Sequence, residues 1–386
     1  MATPSPSTPL GPGAWQWTYL SDPGNDQLAR GGGIGLGTCS AGGYFNALVL
    51  DTAGNIWTCW LDGTTWRWAK LGQPNPGGAK LTTPLGTVTA NGLPNVLALD
   101  AEGTLWTCYY YDNGWQWANL GRPASGHRPT RAAGTLEADG TAYAFVLDEY
   151  DALWVCQCNP SWQWVSLGTP PPHPQATLAP GQLAEPAGTQ LVAGNPTVFI
   201  TDTHGTLLTC QLVHGSWGWG SLQTPGKTLV GPWTPPEPPD PKQPVVALPL
   251  GTTRAGGDAN VLVLDQFGTL WNCWLVPGGG WHWEAQGQPS AGTTLDSSLG
   301  TLDDGSDAYV FALDTQQNVW ACWYSTGGWQ WSNLGAPANS PGAAVALSVV
   351  QPVGTGVVGQ SPALFNLDTL GNLWGLASPA LPATLG

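Results

Sequence analysis

The chain has 386 residues with 25 acids against 10 Lys and Arg, a formal net charge of −15, and charged residues make up only 9% of it. With that sign of charge and no Lys/Arg run, composition argues against nucleic acid, anionic membrane and polyanionic ligands as partners. Hydrophobic residues at 42%, with 54 Gly, 36 Pro and 24 Trp, indicate a folded, aromatic-rich chain whose surface is built from small polar residues rather than ion pairs.

Residues 1–13, MATPSPSTPLGPG, carry neither a positive n-region nor an apolar h-region, so no signal peptide is visible and a flexible leader is expected. No apolar run approaches the roughly 20 residues of a spanning helix, so no membrane insertion is expected. From Trp15 onward one phrase recurs seven times, W-x-W followed six residues after its second Trp by Pro. The pairs are Trp15/Trp17, Trp66/Trp68, Trp115/Trp117, Trp162/Trp164, Trp217/Trp219, Trp281/Trp283 and Trp329/Trp331. A period of about 50 residues belongs to a solenoid or a propeller.

Two further phrases keep step. A Gly-Thr pair stands at Gly37, Gly86, Gly134, Gly188, Gly251, Gly300 and Gly354, and each Thr is followed 13 residues later by Asp51, Asp100, Asp148, Asp202, Asp265, Asp314 or Asp368. The first W-x-W has no Gly-Thr before it, and Asp368 has no W-x-W after it. One unit is therefore split between the two ends of the repeat. A solenoid gains nothing from this split, whereas a ring is fastened by it. The expected fold is an all-β, seven-bladed β-propeller with four antiparallel strands per blade, closed by N- and C-terminal strands sharing one blade. It spans residues 14–386 as a single domain, with a long inter-blade loop at about 226–248.

Within a unit, an inner strand is expected to end near the Gly-Thr. A second strand such as NVLALD or NVLVLD, apolar throughout, suits burial on both faces. Its Asp opens a tight turn, D-x-x-G-x-Φ-W, in which the carboxylate accepts backbone N–H bonds. The third strand follows with a Trp six residues after the Asp. The outer strand is the W-x-W, ended by a Pro that cannot donate to a ladder. Loop length varies between outer and next inner strand, and so is confined to one rim.

Six of the eight Cys sit eight residues after the Asp, at Cys59, Cys108, Cys156, Cys210, Cys273 and Cys322. Equivalent points of stacked sheets lie about 10 Å apart, too far for a disulfide, whose Cα atoms lie within about 7 Å. Free, buried thiols are expected, which fits synthesis in a reducing cytoplasm and leaves later release from the cell open. None of the five His is in step with the repeat, no zinc spacing is present, and LDDGSDAY (Asp303, Asp304, Asp307) reads as a hairpin turn rather than a calcium loop. No metal and no cofactor is expected.

No G-x-S-x-G, H-E-x-x-H or P-loop occurs, and the six Arg are out of register, so no enzyme is expected. Alternate residues of a strand share a face, so both indoles of each W-x-W point into a groove between blades. There they serve either as packing or as a stacking platform for the apolar face of a sugar.

The unit, a strand ending in Asp, then D-x-x-G-x-L-W, then G-W-x-W-x-x-L-G, resembles the bacterial seven-bladed β-propeller lectins of the PLL type. GTLWTCYYYDNGWQWANLG (103–121) and NVWACWYSTGGWQWSNLG (318–335) carry the likeness best, and it covers about residues 14–378. The resemblance implies non-catalytic binding of L-fucose and related glycans between adjacent blades, while the shared facing of the indoles itself makes all fourteen W-x-W tryptophans ligand-binding candidates. Glycans or glycoconjugates are then the expected partners. The rival reading is a scaffold propeller that docks proteins on its variable rim, and homo-oligomer formation stays open.

Overall fold

The computed structural model describes residues 15–24, 28, 33–75, 77–123, 126–171, 182–226, 242–276, 278–290, 292–305, 307–325, 328–337, 349–382 and 384–385. The expected leader and most of the loop at 226–248 lie outside them. Seven antiparallel sheets form a ring. Blade 1 comprises Ile34–Ala41, Tyr44–Leu50, Ile56–Asp62 and Thr65–Gly72 from the axis outward. Blades 2 to 6 repeat it over 81–121, 129–168, 183–223, 246–287 and 295–335.

Blade 7 takes Val349–Val358, Ser361–Asp368 and Leu373–Ala377 from one end of the chain and its outer strand, Gln16–Tyr19, from the other. Trp17 pairs with Leu376 and Tyr19 with Trp374. The phase shift of the repeat thus becomes the clasp of the ring.

The inner strands do not end at the Gly-Thr pair but run two or three residues beyond it. The physical reason is a β-bulge just before each of these glycines, as between Pro249 and Gly251. The glycines absorb it at φ from +111° to +156°, a range open to glycine. Each following threonine then turns its hydroxyl to the backbone of the preceding blade. Thr87 Oγ1 donates to the Thr38 carbonyl (2.7 Å), Thr135 to Thr87 (2.7 Å) and Thr189 to Thr135 (2.6 Å). Thr252 donates to Thr189 (2.9 Å), Thr301 to Thr252 (2.6 Å), Thr355 to Thr301 (2.5 Å) and Thr38 back to Thr355 (2.6 Å). These seven bonds close a ring around the axis. Thr252→Val keeps the shape and removes one donor, with an expected loss of about 1 kcal/mol in urea unfolding.

The second strands are buried on both faces, as their unbroken apolar runs require. Phe145, Phe199, Phe311 and Phe365 are each 0% exposed. Between blades the core is a set of separate clusters, each joining one blade's second strand to the third and outer strands of the next.

The Asp turns are built as the sequence indicates. Asp314 Oδ1 accepts the N–H of Gln316 and Asn318, each at 2.8 Å, and Oδ2 accepts Trp320 Nε1 at 2.8 Å. In blade 4, Leu208 replaces the Trp, and Asp202 keeps only the backbone bonds from His204 and Thr206. Burial alone would raise the carboxyls of Asp148 and Asp314, but the hydrogen bonds they accept outweigh it and hold both below the usual carboxylate range.

A carboxyl lowered on folding stabilises the fold at pH above its unfolded value and loses that contribution as pH falls through the folded one. The melting temperature is therefore expected to hold near neutrality and fall on acidification below about pH 4. Asp314→Asn should flatten that fall in a thermal melt series, and an unchanged slope would contradict the assignment.

Asp303 and Asp304 cap a hairpin turn, accepting the N–H of Gly305 and Asp307 at 2.8 Å each. Among the described residues no three His, Cys, Asp or Glu are placed to hold a metal ion.

Candidate functional site

The grooves between blades are where the W-x-W tryptophans act, and the two members of each pair act differently. Both point toward the preceding blade. The second Trp faces the Cys of its own third strand, as Trp68 faces Cys59 and Trp219 faces Cys210. Its indole N–H donates to a leucine carbonyl on the neighbouring outer strand. Trp68 reaches Leu20 (3.2 Å), Trp117 Leu71 (3.3 Å), Trp164 Leu120 (2.9 Å), Trp219 Leu167 (2.9 Å) and Trp283 Leu222 (2.6 Å). These five indoles bolt one blade to the next, and their N–H is spent.

Trp331 and Trp17 occupy the same place without an acceptor. All the Cys are free thiols, and apart from half-buried Cys39 they are buried. Burial pushes Cys156 and Cys210 up to about 12, so these side chains stay protonated and serve as packing.

The first Trp lies across the second strand of the preceding blade. Trp15, Trp217 and Trp281 stand edge-on to Phe311, Phe145 and Phe199 at 5.5, 5.6 and 5.6 Å, contacts worth about 1 kcal/mol each beyond their burial. Trp66 does the same on Phe365 at 6.0 Å but is 1% exposed, and its Nε1 donates to the Pro382 carbonyl at 3.0 Å. Trp15, Trp115, Trp162, Trp217, Trp281 and Trp329 are half-buried, and their indole N–H has no acceptor among the described residues. Tyr110, Tyr324, Tyr309 and Tyr143 lean on four of these, Trp115, Trp329, Trp15 and Trp217. Trp281 has no such cover.

What sets each groove's width is a cross-strand pair on the blade before it, formed by the residue after the Cys and the middle residue of W-x-W. Six of these pairs are Trp60/Arg67, Tyr109/Gln116, Gln157/Gln163, Trp274/His282, Trp323/Gln330 and Ala377/Gln16. In blade 4 the pair is Gln211/Gly218, and the next pair is Thr209/Gly220. Two glycines on the wall leave a groove of about 600 Å³ between blades 4 and 5, within the usual range for small-molecule sites.

Trp281 forms the far wall, and Thr209, Gln211 and Ser216 supply polar groups. Gln211 Nε2 donates to the Val192 carbonyl at 3.2 Å, which turns its amide oxygen into the acceptor it can offer. Among the described residues no acidic, basic or imidazole side chain lines the groove.

The sequence pattern brought Trp281 forward. It passed over Gly218, Gly220 and Thr209, although the signal was present: blade 4 alone reads W-G-W-G.

No protein-family model matches the chain, and no curated protein sequence matches it. Solved structures of similar shape include AofleA from Arthrobotrys oligospora, 13% identical, covering 84% of this chain and 90% of that one with a TM-score of 0.45. A variant of the Aleuria aurantia lectin AAL in complex with Fucalpha1-6GlcNAc is 13% identical, covering 81% and 100% with a TM-score of 0.44. The N-terminal domain of Nup159 is 8% identical, covering 94% and 95% with a TM-score of 0.49. The likeness to all three lies in their overall fold.

Proposed function

We propose that the protein is a lectin that binds neutral carbohydrate without transforming it. The groove between blades 4 and 5 carries this reading. It sets an indole with an unspent N–H against hydroxyl and amide groups and, among the described residues, no charged side chain that would suit an ionic ligand or supply acid–base chemistry. A pyranose lays its apolar face on Trp281, while Thr209, Gln211 and Ser216 bond its hydroxyls. L-fucose and O-methylated sugars fit best, since their methyl groups suit an indole wall.

The half-buried first tryptophans of the other pairs provide shallower sites. A single millimolar site is worth about −4 kcal/mol, and several on one ring raise avidity by roughly 10²–10⁴ on a glycan-coated surface.

A glycan array tests the proposal. Wild-type protein should bind simple neutral sugars. Trp281→Ala and Gly218→Gln should each weaken binding at least tenfold, about 1.4 kcal/mol. A Cβ at residue 218 meets nothing within 4 Å, and Gln fills this position in blades 2, 3, 6 and 7, so Gly218→Gln should melt with the wild type. Failure of the folded wild type to bind any glycan would sink the reading.

One observation favours the scaffold alternative. The Asp-turn tips of blades 3, 5 and 7 carry Tyr150, Phe267 and Leu370 at 64%, 54% and 51% exposure. That reading requires partner capture to fail when these three become Ser and to survive Gly218→Gln.

A further inference from the structure

The groove between blades 7 and 1 is built from the same positions as the one between blades 4 and 5, and it is full. Its occupant is the chain's own segment after blade 7's third strand. Leu381 is 5% exposed within a cluster that includes Leu20, Leu28, Trp66 and Phe365. It is admitted because residue 375 is glycine, whose Cβ would lie 2.4 Å from Leu381 Cδ1. The Leu381 carbonyl accepts Thr18 Oγ1 at 3.5 Å and the Pro382 carbonyl accepts Trp66 Nε1 at 3.0 Å. Thr384–Leu385 then add a short parallel strand to the edge of blade 1, Thr384 beside Thr65 and Leu385 beside Trp66.

The repeat carries these groups onto the open groove. Trp66 becomes Trp281, Thr65 becomes Gly280, and the pair Gly375/Thr18 becomes Thr209/Gly220. All four replacements line the groove between blades 4 and 5. Its volume is thus the counterpart of the space that Leu381 and Pro382 occupy. The edge of blade 5's outer strand, Gly280–Gly287, is unpaired among the described residues.

We infer that the groove between blades 4 and 5 is also a peptide site, which takes an extended segment of a partner protein bearing an aliphatic residue followed by proline. The aliphatic side chain seats over Gly220, because glycine and threonine have exchanged places across the strand pair. The proline carbonyl accepts the Trp281 N–H, which has no acceptor among the described residues. Proline suits the bend onto the edge, being extended and without an N–H to satisfy. The residues beyond it pair with Gly280–Gly287, so main-chain bonds give affinity and the groove gives selectivity. The protein's own tail stays in its own groove because attachment gives it a high effective concentration there. This assigns the site a second ligand class and does not depend on the sugar.

The test titrates a synthetic peptide of residues 378–386, SPALPATLG, into the full-length chain, followed by calorimetry and indole fluorescence. Saturable binding is expected, at least tenfold weaker to Gly218→Gln and to Trp281→Ala, and at least tenfold weaker for the peptide carrying Leu381→Asp. Absence of saturable binding at millimolar peptide would overturn the inference. So would binding undiminished by Gly218→Gln, which would mean exchange with the resident tail between blades 7 and 1. Sugar binding by the same preparations is read separately. Sugar without peptide overturns this inference and leaves the lectin reading standing, and peptide without sugar does the reverse.

Discussion

Asp51→Ala is expected to cost about 4 kcal/mol of stability. The carboxylate is 3% exposed and holds four donors. Oδ1 accepts the N–H of Ala53 and Asn55, each at 2.8 Å, and Oδ2 accepts Asn55 Nδ2 and Trp57 Nε1, each at 2.8 Å. Asn55 and Trp57 are 7% and 6% exposed, so water cannot replace the lost acceptor without the turn opening. Each buried donor left unsatisfied costs about 1–3 kcal/mol, and partial relaxation brings the sum down to about 4 kcal/mol.

Asp202→Ala provides the internal comparison. Asp202 holds the N–H groups of His204 and Thr206 but no indole, so its loss should be about 2 kcal/mol. Denaturant unfolding of both variants against the wild type measures the difference. Equal losses would mean that the Asn55 amide and Trp57 indole bonds contribute nothing.

Trp66→Ala should be comparably severe, at about 4 kcal/mol, the usual scale for removing a large buried aromatic. At 1% exposure this indole fills the groove between blades 7 and 1, where it stands edge-on to Phe365 and bonds the Pro382 carbonyl. The cavity left behind also unseats the tail, so faster amide exchange at Leu381, Thr384 and Leu385 should accompany the loss. Trp281→Ala, at the equivalent but open position, should cost about 1–2 kcal/mol and remove ligand binding instead. If the two variants unfolded at the same denaturant concentration, the division between packing and ligand-facing tryptophans would fail.

The architecture was legible because the repeat encodes local geometry. The split unit foretold the clasp of Trp17 against Leu376. The fixed Asp with its glycine three residues on foretold the turn, even where Asp151 and Gln317 take the left-handed conformation at φ of 58° and 66°. The alternation of W-x-W foretold that both indoles share a face. It could not say that the second of them finds a carbonyl, because that acceptor lies on another blade 44 to 61 residues away.

The threonine ring was hidden for the same reason. Gly-Thr reads as a strand end until the bulge is seen to carry the strand onward. Openness of a groove depends on a side chain that is missing, and Gly218 is inconspicuous in a chain with 54 glycines. The tail had no repeat to mark it, since no W-x-W follows Asp368.

The proposed ligand site is the groove opened by Gly218 and walled by Trp281. A crystal of the full chain soaked with L-fucose and a mixture of simple methylated sugars tests it most directly. Sugar density is expected stacked on Trp281, within hydrogen-bonding distance of Thr209, Gln211 or Ser216, and none there in Gly218→Gln. Density seated elsewhere with this groove vacant, or a vacant groove throughout, would contradict it.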